Sequence, residues 1–235
     1  MPEMQRDRIL VAIGNWMARL ESYPGWKEWK RQHFVRTLHF DELPLAASDE
    51  FENEFKFSEE MEGQHNLVVG YLGLNETIRS LKDCEFYFRR YPFRGLPVTR
   101  HSHITNICEM YFGRFYEFKE RLKNYFDALE AAVPGHGLHV GGFIRQFDRT
   151  FNQELRARNR IHHHNRFEDL GIDGVLLMDS ISMGRPESGW RKEHLAAYRK
   201  FTREWARRVV ERGKKMDEFL EAVAVATSNS CRFLQ

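Results

Sequence analysis

Between Arg158 and Phe167 the chain reads Arg-Asn-Arg-Ile-His-His-His-Asn-Arg-Phe, three consecutive histidines set among arginines. Histidine, with an ordinary pKa of about 6.5, gives and takes protons near neutrality. Arginine is a permanently charged planar fork whose donors match phosphate oxygens in pairs. Residues of these two types suit work on a phosphodiester. When an RNA 2′-hydroxyl attacks its adjacent phosphate, it must lose a proton while the leaving 5′-oxygen gains one, and histidine can serve as base, acid or both. Arginine can hold the charge that builds on the equatorial oxygens, and neutral, bifunctional Asn159 can orient substrate or imidazole.

Spacing within the run discriminates among the histidines. At about 100° per residue Arg158 lies nearly over His162 and Asn159 nearly over His163, whereas Arg158 and His163 are about 140° apart on a straight helix. Spacing alone therefore selects His162. Neighbouring histidines diverge on a helix, so a metal would have to rely on a pair such as His164 with Glu168, and the remaining ligands are not evident. No metal or cofactor is expected. The competing structural reading has the histidines solvated, or paired with Glu154, Glu168 or Asp169 near a helix C-terminus, where the dipole favours cations.

The elements that must position this run read as helices. Leu67, Val68, Tyr71, Leu74, Ile78, Leu81 and Phe88 recur at spacings of one, three and four, predicting a helix over Glu59 to Tyr91. Ile104, Ile107, Cys108, Tyr111, Phe112, Phe115, Phe118, Leu122 and Phe126 predict a second over Thr99 to Ala132, and glycines with Pro134 end it. Phe143, Phe147, Phe151 and Leu155 form an i, i+4 stripe that predicts a third helix, Phe143 to about His163, with the histidine run in its last turns. Asp169 to Gly189 contains glycines and reads as a loop with a helical turn. Arg191 to Thr227 is the fourth long helix. Short Pro/Gly-rich connections favour antiparallel neighbours, so the expected architecture is all-α, an up-and-down four-helix bundle. Residues 1–58 form a helical or mixed N-terminal extension packed on the bundle of residues 59–235, with Ile9 to Leu20 at helical spacing and Ser48-Asp49-Glu50 placed to cap a short acidic helix.

Composition agrees with a globular chain. Of 235 residues 42% are hydrophobic and 30% charged, and 19 Phe, 8 Tyr and 5 Trp make the core aromatic. The net charge of +2 conceals an acidic Asp41 to Glu62 and a basic Trp190 to Lys215, whose charge reads either as a solvated face or as a surface for a polyanion. Three widely spaced cysteines, Cys84, Cys108 and Cys231, form neither a disulfide framework nor a zinc site. There is no signal-peptide pattern and no apolar window near membrane-span length, so the expectation is a cytoplasmic protein without membrane contact. Arg100, Arg114, Arg121 and Lys123 could line a phosphate track but more often face water. Phe86-Tyr87-Phe88 with Tyr91 and Phe93 reads as core rather than as a base-stacking platform.

Arg158-Asn159-x-x-x-His163, late in the third of four long helices, resembles the signature of the HEPN families, all-α domains in many of which an arginine, a polar residue and a histidine form a metal-independent ribonuclease site. The resemblance spans Glu59 to Thr227 and leaves the first 58 residues uncovered. It implies a homodimer whose two motifs line one cleft, with Arg158, Asn159 and His163 at the reacting phosphate and His162 as the competing histidine. It also implies endonucleolytic RNA cleavage as a toxin or phage-defence component, with an antitoxin protein as a partner. The alternative is a non-catalytic HEPN-like module that binds RNA or nucleotide, or another protein.

Overall fold

The computed structural model describes residues 4–28, 30–31, 34, 57–90, 98–163, 169–184 and 190–234. The described secondary structure is helical throughout: α1 (Gln5–Leu20), α2 (Glu59–Arg89), α3 (Arg100–Ala132), α4 (Val140–Thr150), α5 (Asn152–His163), α6 (Leu170–Gly184) and α7 (Trp190–Ser230), with a 3₁₀ turn at Arg232–Leu234. The all-α expectation therefore holds for the described residues. Most of the acidic stretch from Asp41, including the cap expected at Ser48-Asp49-Glu50, lies outside them.

The chain divides into two compact units. One comprises Met1–Val68, Ala128–His136 and Glu221–Gln235. Here α1 has no side-chain cap of its own at Met4, and its first amides would otherwise lack acceptors. Glu221 of α7 supplies both, accepting the Gln5 N–H at 2.6 Å and the Arg6 N–H at 3.0 Å, where a negative charge also complements the helix dipole. Ile9, Ile13, Trp16 and Leu20, spaced by three and four, are the buried face of α1. The Trp16 indole N–H donates to the Gln64 side chain at 2.8 Å, and its ring centroid lies 6.2 Å from His65. His65 also meets Phe57 at 5.2 Å and Trp26 at 6.5 Å.

The other unit, Val69–Asp127 with Gly137–Leu220, holds the aromatic core and the histidine run. Trp205 of α7 is the hub of one half, with ring centroids 5.5 Å from Phe88 of α2 and 5.6 Å and 5.7 Å from Tyr111 and Phe112 of α3. Phe147 of α4 is the hub of the other, 5.2 Å from Phe118, 5.3 Å from Phe219 and 4.7 Å from Phe151. Gly70 permits α2 to approach α3 closely, since a Cβ there would stand 3.3 Å from the Tyr125 ring. Ion pairs between Lys119 and Asp148 (2.7 Å) and between Lys82 and Asp217 tie α3 to α4 and α2 to α7.

Two expectations about elements change. The single helix from Phe143 to His163 is two, α4 and α5, separated at Phe151, whose φ of −116° and ψ of 24° leave the helical region. The Thr150 carbonyl, which an unbroken helix would bond to the Glu154 amide, instead accepts from the Arg212 guanidinium at 2.9 Å. Thr150 Oγ1 meanwhile donates back to the Gln146 carbonyl, a local bond that also bends helices. The break is a tertiary event with no punctuation in the sequence. Conversely, the expected loop after Asp169 is a helix, α6. Its glycines argued against it, but Asp169 caps it, Oδ1 accepting the Gly171 N–H at 2.8 Å, and Ile172 and Val175 are buried at helical spacing. At its expected start α3 is capped by Thr99, whose Oγ1 accepts the Ser102 N–H, while His103 Nε2 donates to the Tyr87 carbonyl at 3.2 Å.

Two outcomes follow. Trp205→Ala is expected to destabilise the protein by about 3 to 5 kcal/mol, the usual cost of truncating a buried tryptophan, seen as a lower urea midpoint by circular dichroism; an unchanged midpoint would show that the ring does not organise the core. Burial pushes the His65 imidazole below its ordinary value, against the opposing Glu62 charge, and His103 moves the same way by burial. A group depressed on folding binds its proton more readily in the unfolded chain. Its stabilising contribution is then complete above about pH 6.5 and is lost as pH falls through the lower folded value. The thermal midpoint should drop across that interval, and drop less in His65→Leu.

Candidate functional site

The last three turns of α5 carry Glu154, Arg158, Asn159, His162 and His163 in that order. Their local structure follows from Glu, Leu, Ala and Arg, good helix formers that need no special backbone. Helical register sets Arg158 one turn after Glu154 and places His162 and His163 in the final turn. His164 lies outside the described residues.

Glu154 is 1% exposed, which leaves an ionised carboxylate costly unless it is paired. Two arginines of α7 meet it: Arg212 Nη2 donates to Oε2, and Arg208 Nη2 approaches Oε1 at 3.4 Å. Aromatic faces hold both guanidinium groups in place. Arg208 lies 4.8 Å over the Trp205 ring and Arg212 5.1 Å over Phe151, distances at which a cation is attracted to the ring. Burial, reinforced by the nearby Glu154 charge, raises the Tyr111 hydroxyl well above its ordinary value, against Arg208 and Arg212. Tyr111 is therefore a neutral wall of this cluster at physiological pH.

Arg158 is treated differently. Its guanidinium lies 3.7 Å over the ring of Tyr116 from α3, and Nη1 reaches the Asn159 side-chain oxygen at 3.4 Å. It makes no ion pair among the described residues. The carboxylate one turn away is occupied by two arginines, and stacking on Tyr116 holds the Arg158 guanidinium in place. The structure thus brings Arg158 and Asn159 side by side and places both histidine positions beyond them on one helix. Among the described residues the partners of Glu154 are the two arginines of α7.

Sequence reasoning missed Glu154 as an anchor, Arg208 and Arg212 as its partners, and Tyr116 as the platform for Arg158. Glu154 four residues before Arg158 was a visible helical pair, but its actual partner Arg212 stands 58 residues away. The expected phosphate track on α3 is largely neutralised: Glu117 meets both Arg114 (2.6 Å) and Arg121 (3.0 Å), and Glu120 meets Lys123 (2.8 Å). Arg100 lies 5.9 Å over Tyr198. The aromatic run ending α2 divides, because Phe88 is buried as expected whereas Phe86 and Tyr87 are 57% and 42% exposed; Tyr91 and Phe93 lie outside the described residues.

Thiol chemistry has little support. Burial raises all three cysteines, Cys84 to about 12, Cys231 to about 11 and Cys108 also well above its ordinary value, so none offers a thiolate near neutrality. Among the described residues no group of three His, Cys, Asp or Glu is arranged to hold a metal, and no helix is long and apolar enough to cross a membrane. Comparison with protein-family models, with curated proteins and with solved structures finds no match to this chain.

Removing the buried carboxylate should expose its importance. Glu154→Ala leaves two arginines facing each other without an anion and is expected to cost about 3 kcal/mol or more, measured by denaturant unfolding. Glu154→Gln, which keeps an acceptor, should cost less. Equal midpoints for wild type and Glu154→Ala would mean that the carboxylate does not anchor α5.

Proposed function

We propose that the chain is a HEPN-like, metal-independent endoribonuclease whose site is built from Arg158, Asn159 and one of His163 or His162. The observation that carries this reading is Arg158, without an ion pair among the described residues and stacked on Tyr116 beside Asn159, while the carboxylate one turn before it is consumed by Arg208 and Arg212. An arginine so placed favours an anionic ligand over an internal ion pair. The histidines in the following turn supply the group that such a ligand needs for proton transfer.

In this mechanism Arg158 binds the scissile phosphate and stabilises the charge that grows on its equatorial oxygens, which lowers the barrier because that interaction strengthens towards the transition state. A histidine takes the 2′-hydroxyl proton as that oxygen attacks phosphorus, and the bond to the 5′-oxygen breaks as a second imidazole protonates it. The products are a 2′,3′-cyclic phosphate and a free 5′-hydroxyl. Asn159 holds the substrate or an imidazole through its paired donor and acceptor. A homodimer brings two copies of the motif to one cleft, so base and acid need not share one stripe of one helix. Arg158 and His163 are then free of the 140° separation that a single straight helix imposes. The four-helix bundle arrangement, the toxin or phage-defence role and an antitoxin partner all belong to this same proposal.

The test is cleavage of RNA by the purified chain in excess chelator. Arg158→Ala is expected to slow cleavage by roughly 100-fold or more, as removal of one transition-state donor does. His163→Ala should have a comparable effect, with His162→Ala separating the two histidines. Cleavage that survives both Arg158→Ala and the double histidine substitution would overturn the site. Histidine acid and base should also give a bell-shaped rate profile with limbs within about pH 5 to 8, and a flat profile across that interval would contradict it. Salt-dependent RNA affinity without product would instead support the non-catalytic alternative.

A further inference from the structure

The basic stretch of α7 sorts into two stripes. Arg208 and Arg212 turn towards the buried Glu154 and are consumed there. Lys200, Arg203 and Arg207, spaced by three and four, form a second, exposed stripe. Together with Arg89 from the last turn of α2 they line a cleft of about 430 Å³, whose floor includes buried Ala206 and whose single lining carboxylate is Glu204. Arg89 is held by Glu85 at 2.6 Å, and Arg203 donates Nε–H to the Arg199 carbonyl at 3.0 Å. None of Lys200, Arg203 and Arg207 makes an ion pair among the described residues. In this they contrast with the α3 cations, which Glu117 and Glu120 neutralise. Three uncompensated cations in one concave surface are unfavourable to each other and favour a ligand carrying several negative charges.

A neighbouring feature narrows that ligand. Phe86 stands three residues before Arg89 on the same side of α2, is 57% exposed, and has the Arg90 guanidinium 5.4 Å over its ring. Tyr87, 42% exposed, packs edge-on against it at 5.9 Å. An open aromatic face bordered by cations beside a basic groove is the combination that binds single-stranded nucleic acid, the groove following phosphates and the ring stacking a base. An acidic protein surface would use the charges and not the ring. A duplex keeps its bases stacked inside and could not deliver one to Phe86.

We propose that this cleft seats a single strand of RNA, with phosphates against Lys200, Arg203 and Arg207 and a base on the Phe86 ring. The inference rests on reading the chain as an RNA-directed protein, and it gives that protein a binding surface separate from Arg158.

The test is fluorescence anisotropy with a labelled oligouridine of about twelve nucleotides, spanning a single-strand site, and the full chain carrying His163→Ala so that the probe is not consumed. At about 0.1 M salt, Arg203→Glu with Arg207→Glu should weaken binding at least tenfold. It should also flatten the slope of log affinity against log salt by roughly 1.4, the loss of two single-strand phosphate contacts. Phe86→Ala should weaken binding by roughly 5- to 150-fold and leave that slope unchanged. If charge reversal disturbs α7 by circular dichroism, Arg203→Gln with Arg207→Gln gives the same reading without new carboxylates. Wild-type affinity in the arginine variants overturns the cleft. Displacement by polyglutamate as effective as by unlabelled RNA, with no effect of Phe86→Ala, overturns the nucleic-acid assignment. Cleavage is scored separately with His163 intact. Binding that depends on the cleft without cleavage leaves this inference standing and removes the ribonuclease, whereas cleavage with cleft-independent binding does the reverse.

Discussion

A buried carboxylate cannot stay ionised in an aromatic interior without compensation, and in this protein Glu154 is compensated by two arginines from a helix more than fifty residues away. That constraint shapes the surrounding structure. It binds α5 to α7, it requires Trp205 and Phe151 to present ring faces to the guanidinium groups, and it is tied to the interruption between α4 and α5 through the Thr150 carbonyl that Arg212 takes. It also determines what Arg158 can do. Glu154, one turn before Arg158, is met by Arg208 and Arg212, and Arg158 stacks on Tyr116 without an ion pair among the described residues.

Aromatic packing supplies the frame for this cluster. The ring contacts made by Trp205 and Phe147 join α2, α3, α4 and α7, and each large side chain contributes apolar burial together with a preferred edge or face geometry. Arginine is well suited to sit at the border of such a core, because its planar, weakly hydrated guanidinium can stack on rings and still satisfy a carboxylate. The same pairing of arginine and aromatic ring recurs at Arg158 on Tyr116 and at Arg90 on Phe86, in more exposed settings.

Much of the fold was legible in the sequence where one helix face is continuously apolar. The buried positions of α2 and α3 include Leu67, Tyr71, Leu74 and Ile78, and Ile104, Tyr111, Phe115 and Leu122, as their spacing required. Legibility failed where local preference and tertiary demand disagree. The stripe Phe143, Phe147, Phe151, Leu155 is a sound helical pattern, yet Phe151 leaves the helix because a distant arginine competes for the Thr150 carbonyl. Gly171 and Gly174 weaken α6 in isolation, yet a cap at Asp169 and burial of Ile172 and Val175 outweigh them. Phe86, Tyr87 and Phe88 are alike in composition, and only their packing separates the buried ring from the two open ones.

The sequence by itself determined which groups are available for chemistry: a helix ending in Arg158, Asn159, His162 and His163, and a final helix dense in arginine and lysine. Periodicity reports which face of a helix is buried, because that depends on residues three and four apart. Only the tertiary structure decided which charges are spent. Glu154 could have paired with Arg158 one turn away, but it is met by Arg208 and Arg212, leaving Arg158, Lys200, Arg203 and Arg207 without internal carboxylates among the described residues. Charge pairing is a matter of distance in space and of burial, and neither is encoded in the separation of residues along the chain.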